Sequence, residues 1–119
     1  MKIAVTSVGA NLASEVDPRF GRAAYIIIVD SDTLAFEAVD NQENVNALKG
    51  AGIQAAKTAS EKGADVLLTG FCGPNAFKAM NAAKIGVANN ASGSVREAVQ
   101  AYLDGKLPLS DEANVEGQW

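Results

Sequence analysis

The sequence contains no histidine and a single cysteine, Cys72. Without histidine there is no imidazole base and no imidazole metal ligand, so Ser-His-Asp and Cys-His catalysis are both excluded. One cysteine forms no internal disulfide framework and no Cys-based zinc finger. Cations are also in the minority. Ten Lys plus Arg face fourteen Asp plus Glu, for a net charge of −4. Such a chain lacks the broad positive field that non-specific nucleic-acid binding needs, although a local anion site remains open to it. No apolar run is long enough to span a bilayer, and the opening "MKIAVTSVGA" does not pattern as a signal peptide. The expectation is a soluble cytoplasmic protein with no membrane association. No phosphate signature is present either: neither G-x-x-x-x-G-K-S/T nor a helix-opening G-x-G-x-x-G occurs. No nucleotide is expected.

What is there reads as one domain. The 119 residues are 48% hydrophobic and 20% charged, an ordinary globular balance. "KIAVTS" reads as a strand, and Asn11 to Arg22 as a long loop. "AYIIIVD" (Ala24 to Asp30) reads as a central strand buried on both faces. A turn at Ser31-Asp32 leads into "TLAFEAVD", whose Leu34, Phe36 and Ala38 form one apolar face. A helix is expected between Ala47 and Lys62, with Leu48, Ile53, Ala56 and Ala59 or Ser60 inward and Gly63 as its stop. "ADVLLT" is a short buried strand, Gly73-Pro74 opens a helix, and "KIGVAN" is a further strand. Ser94 and Glu97 fit a capping box at the start of the last helix, which Gly105 ends. Leu107 to Trp119 is a polar, acidic tail. The order βββαβαβα implies an α/β mixed five-stranded sheet with helices on both faces. Residues 1–107 would form the domain and 108–119 the tail.

In open α/β sheets ligands bind outside the carboxyl ends of the strands. Three loops leave strands there: Thr6 to Asn11, Thr69 to Asn75, and Asn89 to Ser94. They are rich in small and polar residues, and two lead into helix N-termini, which favour negative charge. Arg19 and Arg22 can reach the same rim. An anion pocket follows; the plainer alternative is a set of ordinary strand-to-helix turns. Asp17, Asp30, Asp40 and Asp65 could instead gather around Mg²⁺, although turn and cap roles suit them better. Cys72 could be a small structural hydrophobe near the core, a thiolate for a soft metal, or a nucleophile without a base.

Four segments, "MKIAVTS", "DPRFGRAAYIIIVD", "GAGIQAAKTASEKGADVLLTGFCGPNAFKAM" and "GSVREAVQAYLDGKL", resemble in order the dinitrogenase iron–molybdenum cofactor-binding family. The resemblance implies a ribonuclease H-like fold and a non-catalytic role in carrying an anionic metal–sulfur cluster that contains molybdenum. One branch of small, free-standing members carries a molybdenum–copper sulfide. Many members have His before "FGR" and before "GAGIQ"; Arg19 and Lys49 stand there in this sequence. Many have small residues where Phe71 and Cys72 stand. The resemblance therefore implies a cluster held non-covalently. The candidate contacts are Ser7, Gly9, Arg19, Arg22, Lys49, Gly70, Phe71, Cys72, Gly73, Asn75, Asn89, Asn90 and Ser92. Cys72 is the one candidate for direct metal contact, with a wall role favoured. The alternatives are a Mg-dependent enzyme on a ribonuclease H-like fold, or an interaction module for a P-loop ATPase with the acidic tail ending in Trp119 as docking segment. A monomer or weak oligomer is expected.

Overall fold

A computed structural model describes residues 1–41 and 51–110. Among the described residues, five strands and three helices follow one another along the chain. They are β1 (Lys2–Ser7), β2 (Tyr25–Asp30), β3 (Phe36–Asp40), α1 (Ala51–Glu61), β4 (Val66–Leu68), α2 (Pro74–Ala82), β5 (Gly86–Ala88) and α3 (Val95–Leu103). The sheet order is β3-β2-β1-β4-β5. β1 runs parallel to β4, and β4 to β5, while β2 is antiparallel to both of its neighbours. The α/β mixed sheet with helices on both faces is as the alternation of the sequence implies.

Strand alternation divides the core in two. Ala4, Ile26, Ile28, Leu67 and Val87 face one side, with Ala55, Ala56 and Ala59 of α1 and Ala76, Phe77 and Met80 of α2. Ile3, Val5, Ile27, Val29, Val66, Leu68 and Ala88 face the other, with Leu12 and Val16 of the first loop and Val95, Ala98 and Val99 of α3. The run Ile26 to Val29 is therefore apolar throughout because both of its faces are covered. Burying each such large side chain contributes about 1.5–3 kcal/mol.

Two expectations need correction. Leu34 and Phe36 are exposed, and β3 begins at Phe36 rather than at Thr33. The turn is longer than Ser31-Asp32. The Asp30 carboxylate accepts from the N–H groups of Asp32 and Thr33, the Leu34 N–H donates to the Asp30 carbonyl, and Leu34 takes φ +62°. β3 is an edge strand, so its alternation has less to be buried against. In α1, Ile53 and Ser60 point outward, and Ala55, Ala56 and Ala59 with Gly52 make the inner face. Gly52 explains the difference. A Cβ there would lie 2.8 Å from Ala76 Cβ of α2. Glycine in a helix costs about 1 kcal/mol relative to alanine, but overpacking costs about 1–3 kcal/mol. The close approach of α1 to α2 wins, and it requires small residues. Leu48 lies outside the described residues.

The helix boundaries follow local chemistry. Gly63 and Gly105 take φ +75° and +77° just after α1 and α3. At α3 the Ser94 hydroxyl accepts from the Glu97 N–H at 3.1 Å, and the Glu97 carboxylate accepts from the Ser94 N–H at 2.9 Å. Residues 108–110, where the tail was expected to begin, lie against β5. Leu109 faces Gly86, and the Ser110 N–H donates to the Val87 carbonyl at 2.7 Å.

Candidate functional site

The carboxyl ends of β1, β4 and β5 share one rim, because the three strands are parallel. The start of β2 and the end of β3 reach the same rim, since Tyr25 pairs with both Ser7 and Asp40. Asn41 fastens this side: its carboxamide donates to the carbonyls of Gly21 and Ala23. Arg19, Arg22 and the three small-residue loops thus stand at one end of the sheet.

The connections leave that rim towards different faces. The chain after β4 enters α2 on one side, whereas those after β1 and β5 supply Leu12, Val16 and α3 on the other. Two crevices result, one between β1 and β4 and one between β4 and β5. Such switch points are where α/β sheets take ligands.

The first crevice is closed by the chain itself. The Thr6 and Thr69 hydroxyls are 2.9 Å apart, and the Thr6 hydroxyl donates to the Asp17 carbonyl at 2.7 Å. A hydroxyl has one proton, so Thr69 must be the donor to Thr6. The Phe71 N–H donates to the Pro18 carbonyl, and the Phe20 N–H to the Phe71 carbonyl. A Cβ at Gly70 would lie 2.7 Å from Pro18 Cα, so Gly70 serves chain packing here rather than approach to a ligand. Arg19 and Phe71 are bridged side by side, and both are exposed. The Arg19 Nε lies 3.6 Å from the carboxylate of buried Asp17, which also accepts from the Arg19 N–H. Asp17 therefore offsets part of the Arg19 charge.

Several N–H groups expected to serve an anion have acceptors within the chain. The Gly9 N–H donates to the Ser7 hydroxyl, which itself donates to the Gly9 carbonyl at 2.7 Å. A Cβ at Gly9 would collide with the Ser14 hydroxyl. The Asn90 N–H donates to the Gly70 carbonyl, with Asn90 at φ +67°. The Asn89 N–H donates to the Ser110 hydroxyl at 3.3 Å. Ser92 and Asn75 are exposed on the rim, and Arg22 is half-buried. Gly73 is the N-cap of α2, where no side chain caps the helix. Lys49 lies outside the described residues.

Cys72 is fully buried in the core cluster beside α2, its thiol 3.7 Å from the Gly73 carbonyl. Burial pushes the thiol up to about 12 from its ordinary 9.0, so it stays protonated at neutral pH. Among the described residues no three His, Cys, Asp or Glu stand together as a metal site. The four aspartates divide between the two ends of the sheet. Asp17 and Asp40 are at the rim; Asp30 and Asp65 are at the far end, where the Asp65 carboxylate accepts from the Lys2 N–H.

Reading the sequence alone passed over Thr6, Thr69, Pro18 and Asn41. A threonine closing each of two apolar strands was the available signal for the first pair. Nothing local marks Pro18, whose role comes from Gly70, distant in the chain.

Fold and geometry together define an open-sheet α/β protein with a rim of small-residue loops at a topological switch point and no metal-ligand cluster among the described residues. The chain belongs to the dinitrogenase iron-molybdenum cofactor family, whose model matches residues 1–105. It is similar to the apo form of the orange protein from Desulfovibrio gigas, with 48% identity, 96% of each chain covered and a TM-score of 0.93. It is also similar to a Thermotoga protein described as a candidate NifB, with 34% identity, 98% of each chain covered and a TM-score of 0.83. A candidate dinitrogenase of Methanocaldococcus jannaschii shares the fold, with a TM-score of 0.72 at 15% identity over 94% of this chain and 96% of its own. No curated protein is matched.

Proposed function

We propose that this chain is a non-catalytic carrier for an anionic metal–sulfur cluster that contains molybdenum, with a molybdenum–copper sulfide as its specific form. The observation that carries the reading is the rim itself: Arg19, Arg22 and the small-residue loops after β1, β4 and β5 meet at one end of the sheet. Membership in a family named for an iron–molybdenum cofactor, and likeness to the orange protein, support it.

The chemistry is consistent. A cluster whose metals are already saturated by inorganic sulfide needs no protein ligand. It needs cations, N–H donors and an apolar wall. Arg19 supplies charge, exposed Phe71 an apolar surface, and buried Cys72 the packing behind the loop. Any redox chemistry would belong to the cluster. A Mg-dependent enzyme has less support, because Asp30 and Asp65 stand at the far end of the sheet from Asp17 and Asp40. A cytoplasmic location, a P-loop ATPase as delivery partner and a monomeric or weakly associating state belong to the same reading; Trp119 of the suggested docking tail lies outside the described residues.

The test is the visible spectrum and metal content of the protein purified from its native host. The expected result is a charge-transfer band with stoichiometric molybdenum, and copper alongside it. A colourless protein without molybdenum, copper or iron overturns the proposal.

A further inference from the structure

The second crevice, between β4 and β5, holds a group that the fold does not use. Asn89 is only 4% exposed, and neither its Nδ2 nor its Oδ1 has a hydrogen-bond partner. An unpartnered buried carboxamide is costly and uncommon in a native protein. The surroundings give it a direction. β5 alternates, with Val87 on the α2 side of the sheet and Ala88 on the α3 side. The Val87 carbonyl and the Asn89 N–H both turn outward to Ser110, so the alternation continues through Asn89. The Asn89 side chain therefore lies on the face of Val87, which α2 covers, at the rim where α2 begins.

That end of α2 is itself incomplete. Gly73 is its N-cap, with no side-chain cap, and Pro74 at the first position has no N–H. The first N–H groups able to donate outward are those of Asn75 and Ala76, and the helix dipole adds partial positive charge there. Pro74 and Asn75 are exposed, so this end is open to solvent.

We infer that Asn89 is the anchoring residue of the cargo site: its carboxamide and the uncapped start of α2 grip one terminal sulfido or oxo atom of the bound anion. The inference rests on the carrier reading above and narrows it to one crevice. The terminal atom accepts from Nδ2 and from the α2 N–H groups. A water of the anion's own shell donates to Oδ1. The Arg19 side, next to the closed crevice, then supplies longer-range attraction rather than the grip.

The test titrates the full-length apo protein with tetrathiomolybdate, followed by its visible absorption and by amide NMR. Saturable binding is expected, with shifts at the Asn89 side-chain amide and at the Asn75 and Ala76 N–H groups. Asn89→Leu keeps the shape and removes both polar atoms. It should raise Kd about tenfold or more, the loss expected for a hydrogen bond to a charged group, while Tm holds or rises because a buried unpaired amide is gone. A wild-type Kd in Asn89→Leu, or an unmoved Asn89 amide in the wild-type complex, overturns the inference and leaves the carrier reading standing. No binding by the wild type at millimolar probe overturns the carrier reading, and the inference with it. If Asn89→Leu does not fold, Asn89→Ser and the wild-type NMR shifts decide in the same way.

Discussion

Cys72 is a lone thiol on a loop that a ligand could approach, yet its side chain turns inward. It shares a core cluster with Phe77, Met80 and Val87. Reactivity needs thiolate, and desolvation withholds it. An unfolded chain loses this proton near the ordinary value of 9.0, the native one at about 12. Across that window the native state binds more protons, so this thiol's contribution to stability is lost as pH rises from about 9 towards 12. At neutral pH the native thiol should react with a disulfide reagent more slowly than in denaturant, by roughly a thousandfold or more if only global opening exposes it. A fast native reaction would show a looser loop. Cys72→Ser should still take up cluster if the residue is wall; failure to do so would make it a ligand.

At the scale of elements, α3 is the segment most fully readable from residue types. Ser94 and Glu97 close a reciprocal cap, and of the helically spaced Val95, Ala98, Val99, Tyr102 and Leu103 the first three are buried, Tyr102 is half-buried and Leu103 at the helix end is exposed. Ser94→Ala should cost about 1 kcal/mol and lower Tm by about 3–6 °C. The Ser94 backbone N–H, and then its side chain, hold the Glu97 carboxyl below its ordinary value. A depressed carboxyl contributes stability above its unfolded pKa and loses it as pH falls through the folded value. The acid limb of Tm against pH should therefore be shallower in Glu97→Gln; an unchanged limb would remove this cap from the acid response. α1 was harder to read. A large apolar residue, Ile53, argued for the inner face, but Gly52 and the alanines hold it because α2 comes so near. Size matching between two helices is not visible in either one alone. β3 was misread for a similar reason: its alternation is real, but an edge strand has one neighbour and its Phe36 stays exposed.

The whole molecule carries net charge −4, which opposes the approach of an anion. Binding must then come from a local field at the rim. Cations at the surface, exposed Arg19 and half-buried Arg22, contribute about 0.5–1 kcal/mol each, so Arg19→Ala with Arg22→Ala should weaken cluster binding by about five- to thirtyfold. The salt dependence of binding should flatten as well. An unchanged affinity and salt slope in the double variant would sink the electrostatic part of the proposal and leave the hydrogen-bonding part.

The sequence by itself determined the order of elements, the helix stops at Gly63 and Gly105, the cap at Ser94, and the rim on which Arg19, Phe71 and Asn89 stand. These rest on local rules: period, capping, turn chemistry, and the direction of parallel strands. Only the tertiary structure decided how the first crevice is closed. Pro18 fills the space over Gly70, and Thr6 meets Thr69, across gaps of 52 and 63 residues in the chain. Burial of the Cys72 thiol and isolation of the Asn89 carboxamide were decided there too. Solvation and hydrogen-bond satisfaction depend on what folds over a group, and local sequence does not carry that.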